Sequence, residues 1–172
     1  MTETEELTLL MLSEIHEHLD IKGSAVSPEP TFIKRAITTG NSWAILRKTQ
    51  YPPEVAQVYD VLDMWRLIES SYKQLENPER EKVEAVAGGP PRIHGFDGNE
   101  DQLSIADFII KDMGLYSDLK DRGNCDCHFS VRDKYRSMVA TFKPIRARLT
   151  GGVGLSMTAD EIIEVLTARL QP

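Results

Sequence analysis

Apolar residues recur at three- and four-residue spacing through most of the chain, and the strict alternation that marks a half-buried strand is scarce. The longest stripe is Val55, Val58, Leu62, Trp65, Ile68, Tyr72 and Leu75. Tyr51-Pro52-Pro53-Glu54 stands before it as a start signal, so the pattern predicts one helix of about twenty residues, roughly 30 Å long. A first helix is predicted from about Glu3 to Leu19. Thr2 and Glu5 have capping-box spacing, and the acidic first turn suits the positive end of the helix dipole. Leu7, Met11, Ile15 and Leu19 share a face, and Leu10 and Leu12 widen it, which predicts a helix buried on much of its circumference.

Between these two, Ser27-Pro28-Glu29 reads as cap, first-turn proline and acid. It predicts a helix to about Thr39 with Phe32, Ile33, Ala36 and Ile37 inward, broken by Gly40-Asn41. Residues 42–48, with Trp43, Ala44, Ile45 and Leu46, fit either a short helix or an extended segment. A short charged helix starts at Asn77-Pro78-Glu79 and ends at Gly88-Gly89-Pro90-Pro91. After a loop over 88–101, Leu103, Ala106, Ile110 and Met113, flanked by Ile105 and Ile109, predict a helix from about Asp101 to Met113, with Gly114 just past its end. A second loop covers 121–129. Ser130 then caps a helix whose seam is Val131, Tyr135, Met138, Phe142, Ile145 and Leu149, and Pro144 is expected to kink or end it. Thr158 and Glu161 box the start of a last helix with Ile162, Ile163, Leu166 and Leu170 inward. The reading is a single all-α domain over 1–172 with about six or seven helices.

Composition narrows the class. A chain that is 41% hydrophobic and 27% charged has the make-up of a globular protein. The densest apolar run, Leu7-Thr8-Leu9-Leu10-Met11-Leu12, is far short of the roughly 20 residues a bilayer span needs. The acidic opening Met1-Thr2-Glu3-Thr4-Glu5-Glu6 is the reverse of a secretory leader, so a cytoplasmic protein is expected. The net charge of −7 argues against nucleic acid, whose phosphates demand clustered cations. A regulator that uses residues 28–48 as a helix-turn-helix nevertheless stays open on Lys34, Arg35, Arg47 and Lys48.

Cys125-Asp126-Cys127-His128 is the densest set of metal-ligand residue types, and His94 would complete it if the fold brought it near. A structural zinc site takes four ligands, commonly as two pairs, and the chain has two cysteines in all, so two reduced thiols in a loop are the preferred reading. A metal or enzyme site at His94, Cys125, Cys127 and His128 is the lesser alternative. Asp97-Gly98-Asn99-Glu100-Asp101 has the first oxygens of a calcium loop but carries Gln102 and Phe108 where Gly and Glu belong. Thr150-Gly151-Gly152-Val153-Gly154 lacks the Lys-Ser/Thr pair of a phosphate loop. His16 and His18, two apart on a helix, face different ways. No residue stands out as catalytic and no cofactor is expected.

Several short stretches, in order, carry a resemblance. They are Leu9-Leu10-Met11-Leu12-Ser13, Val61-Leu62-Asp63-Met64-Trp65, Gly95-Phe96-Asp97, Gly114-Leu115-Tyr116, Lys134-Tyr135 followed by Met138, and Leu155-Ser156 with Glu161-Ile162. Through them the chain is similar to the YfbU family of bacterial helical proteins. The resemblance spans nearly the whole chain and departs in the loops at 86–94 and 121–129, so the Cys-Asp-Cys-His stretch draws no support from it. It implies an all-helical fold, a homodimer or higher homo-oligomer, and a stress-related role. It supplies no catalytic residue. With the broad apolar faces, it makes a non-enzymatic interaction protein the leading expectation.

Overall fold

The computed structural model of the chain describes residues 1–21, 28–45, 51–128, 130–150 and 156–168, and among these it holds seven α-helices and no strand. They are α1 (Glu3–His18), α2 (Pro30–Thr38), α3 (Pro53–Gln74), α4 (Asn77–Ala87), α5 (Asp101–Asp107), α6 (Arg132–Thr150) and α7 (Ala159–Thr167). The all-α architecture expected from the periodicity is what the chain adopts. Both capping boxes form, with the Thr2 and Thr158 hydroxyls accepting from the Glu5 and Glu161 N–H groups.

Helix α3 is the axis of the fold. It buries Val55, Val58, Val61, Leu62, Met64, Trp65 and Ile68, and α5, α6 and α7 pack around it. Each such side chain contributes about 1.5–3 kcal/mol relative to exposure, which is why a stripe of this length dominates the core. α6 adds Tyr135, Met138, Phe142, Ile145 and Leu149 from its seam, and α7 adds Ile162 and Val165. Salt bridges from Arg146 to Asp63 (2.7 Å) and from Lys143 to Asp60 (3.0 Å) lie along the α3–α6 contact.

The two long loops hold each other. The Phe96 N–H donates to the Cys125 carbonyl and the Cys127 N–H to the Phe96 carbonyl, each at 3.0 Å. Tyr135, buried on α6, donates its hydroxyl to the Gly95 carbonyl at 3.1 Å and meets Trp65 and Phe96 edge to face. The buried Glu69 carboxylate accepts from the Ile93 N–H at 3.1 Å and pairs with Arg122, tying both loops to α3.

Two local expectations change and two open ones are narrowed. Pro30, not Pro28, takes the first helical position of α2, with Glu29 at the cap; Ser27 lies outside the described residues. Residues 42–44 form a 3-10 turn, while Leu46 to Lys48 lie outside the described residues. Beyond Asp107 the backbone widens into a π-helical turn over Phe108–Asp112, where the Met113 N–H reaches back to the Phe108 carbonyl. Pro144 does not end α6. It sits on an exposed position four residues after the exposed Ala140, so the carbonyl it leaves unpaired faces water while the buried seam continues to Leu149. Residues 151–155 and Leu170 lie outside the described residues.

The largest correction concerns α1. Its wide apolar face is not buried: Leu7, Met11, Leu12, Ile15 and Leu19 are 52–63% exposed, and the one buried residue is Ser13. The reason is geometric. α1 packs chiefly on α2, a helix of nine residues, and this contact takes the side that carries Ser13.

Candidate interaction site

The outward face of α1 is the most conspicuous unmet surface of the chain. At 3.6 residues per turn, the sector that spans Leu7, Met11, Ile15, Leu19 and Leu12 also holds Thr4, Thr8 and His18. It contains no Asp, Glu, Lys or Arg, although the helix as a whole carries Glu3, Glu5, Glu6, Glu14 and Glu17. The carboxylates are displaced to the flanks and to the side facing α2. There Lys34 of α2 pairs with Glu17 at 2.8 Å, and the Ser13 hydroxyl turns back to donate to the Leu9 carbonyl. Five half-exposed large side chains on one helix face form a patch on the order of several hundred Å², the range at which exposed apolar surface marks contact with another molecule. The sequence shows the uncharged sector, but a stripe buried in the core lacks charge as well, so the pattern marks an apolar face and not its exposure.

A second concave region lies between α2 and the π-helical turn. A cavity of about 430 Å³ is lined by Pro28, Phe32, Trp43, Ala44, Tyr51, Asp112 and Met113. Trp43 is fixed there by Asn41. The buried Asn41 side chain accepts from the indole N–H at 2.9 Å and donates to the Thr39 carbonyl at 3.1 Å. Trp43 meets Tyr51, Tyr59 and Phe108 at centroid distances of 5.6, 6.4 and 6.0 Å, all near perpendicular. Burial pushes the Tyr59 hydroxyl well above the usual phenol range, and it lies 3.7 Å from the Met113 sulfur. The carboxylate on the wall, Asp112, is within 3.3 Å of Arg35. The arrangement is one of aromatic packing with a paired charge at its edge.

The Cys-Asp-Cys-His loop is organised around its backbone. The Asp126 carboxylate accepts from the His128 N–H at 2.7 Å and the Gly98 N–H at 2.9 Å, and these donors, in that order, hold its carboxyl below the usual range. The His128 ring stands 3.0 Å from the same carboxylate. The Cys125 thiol points at the Arg122 and His94 carbonyls, at 3.1 and 3.6 Å, so His94 approaches through its main chain. Among the described residues no group of three or more His, Cys, Asp or Glu side chains is placed to hold a metal ion.

The cations of the 28–48 segment that are described are both engaged, Lys34 by Glu17 and Arg35 by Asp112 and Asp107. Arg47 and Lys48 lie outside the described residues. Among the described residues the next α-helix after the Gly40-Asn41 break is α3, the central core helix. Among the described residues no helix is long and apolar enough to cross a membrane.

The model of the YfbU domain matches residues 42–168. No curated protein and no solved structure matches the chain. The matched stretch begins at the 3-10 turn before α3, so α1 and α2 stand in front of it.

Proposed function

The chain belongs to the YfbU family, and on that premise we infer a non-enzymatic interaction protein of the bacterial cytoplasm that works as a homo-oligomer. The observation that carries this reading is the uncharged outward face of α1. An isolated helix of sixteen residues is marginal in water, and packing of its apolar face is the ordinary source of its stability. Here that face is free in the single chain, and a second molecule would supply what the body of the fold does not. The two free cysteines accord with a reducing compartment.

Light scattering coupled to size exclusion tests the reading. The chain is expected to elute as a dimer or larger assembly. Met11→Glu combined with Ile15→Glu is expected to shift it to a monomer whose far-ultraviolet dichroism is little changed, since neither side chain is part of the core. A wild-type chain that stays strictly monomeric at high concentration overturns the proposal.

A further inference from the structure

We propose that the partner on the outward face of α1 is the α1 helix of a second copy, laid antiparallel across a two-fold axis that passes at Met11. This deepens the homo-oligomer reading and rests on it. The centre of the stripe matches itself about that point: Leu7 and Ile15 lie four residues to either side of Met11, and Thr4 and His18 seven, while Leu12 and Leu19 stand at its edge without an apolar mate in the sector. In an antiparallel pair Met11 therefore meets its own copy, and Leu7 of one chain meets Ile15 of the other. An isologous contact requires such self-matching.

The flanks choose the direction. Glu5 and His16 border the apolar sector on one side, and Glu3 and Glu14, with His18 just within, border it on the other. A two-fold axis perpendicular to the helices brings like edges together with their ends exchanged. His16 of one copy then faces Glu5 of the other, and His18 faces Glu3. A parallel pair brings unlike edges together at the same height, so Glu5 faces Glu3, and His16 stands between His18 and Glu14. The antiparallel pair also sets each acidic first turn against the last turn of its mate, where the dipole is negative and the imidazoles stand. One carboxylate oxygen is free to use this geometry. Glu5 spends one oxygen on the Thr2 N–H at 2.7 Å and keeps the other. The area also suffices: two such faces together cover roughly 1,000 Å², the lower bound for a specific interface. Because the sector holds no Asp, Glu, Lys or Arg, it is also where two chains of net charge −7 meet with least repulsion.

Single-cysteine variants with a short bismaleimide test the geometry in the full-length chain, with linked peptides identified by mass and the wild-type chain as control for Cys125 and Cys127. Met11→Cys is expected to link to itself. Leu7→Cys and Ile15→Cys are expected to link to each other in a mixed sample at least tenfold more than either does alone, since in this register Leu7 stands eight residues of helical rise, about 12 Å, from its own copy. Equal self-linking at all three positions in an oligomeric protein means a parallel pair and overturns this inference while the homo-oligomer stands. An oligomer that links at none of them places the contact elsewhere and also overturns it. A monomer by light scattering overturns both.

Discussion

At Gly95 the backbone stands at φ 86°, and a methyl group placed there would lie 2.0 Å from the Cys125 carbonyl oxygen. Neither neighbour can yield cheaply, because the atom in the way is backbone and is held by the Phe96 N–H. Gly95→Ala is therefore expected to cost about 3 kcal/mol or more in urea denaturation, beyond the roughly 1 kcal/mol of an average substitution. Asp126, across the same junction, links loop structure to pH. Its carboxyl is held low by the His128 and Gly98 N–H groups. A depressed folded value means that its contribution is present above the unfolded value of about 3.9 and is lost as the pH falls through the folded one. Protection factors of the Gly98 and His128 amides are expected to fall on acidification through that window. The Asp126→Asn chain is expected to lack this step, and an unchanged profile in the variant would remove Asp126 as the cause.

At the scale of the elements, α6 shows a seam outweighing a breaker. Pro144 removes one backbone hydrogen bond, yet Phe142, Ile145 and Leu149 stay buried on the other side of the helix. The tertiary contacts thus retain a helix that local propensity alone would end near residue 144. Pro144→Ala restores a donor to the Ala140 carbonyl on an exposed face, and a gain of about 1–3 kcal/mol in thermal or urea unfolding is expected. A loss would mean that the proline ring itself contributes to the stability of α6 in its place on α3. The pairing of α1 with α2 is the opposite case. Local signals form α1 well, with its capping box and acidic first turn, while what packs under it is chiefly the nine-residue α2 rather than the core around α3.

At the scale of the molecule this makes two regions of unequal firmness. Amide hydrogen exchange is expected to show α1 opening with a far smaller free energy than α3, whose burial places it at the global limit. Raising the protein concentration is expected to protect α1 alone, and equal protection of α1 and α3 in dilute solution would count against the division. Much of the fold was legible in the chain because it is written locally: the stripe from Val55 to Leu75, the Thr2 and Thr158 caps, and the stop at Gly88 each depend on residues within a turn or two. What was not legible depends on distant partners. An apolar stripe does not say whether the surface that covers it lies in the same chain, so Leu7, Met11 and Ile15 read as core. Glu69 gives no sign in the sequence that Ile93 and Arg122 will meet it, nor Cys125 that its carbonyl will accept from Phe96. The candidate site was legible as an apolar helix but not as a surface.

The π-helical turn at Phe108–Asp112 amounts to one residue inserted into a regular helix. Loss of a single codon there lets the Met113 N–H bond over four residues instead of five, and the chain on either side keeps its bearing. The same loss in the middle of α3 would turn every later side chain by about 100° about the axis and swing Trp65 and Ile68 out of the core. Loss of one triplet at the end of α5 is thus expected to be borne better than the same loss within α3, provided that it falls on Lys111 or Asp112 and spares the buried Phe108, Ile109 and Ile110.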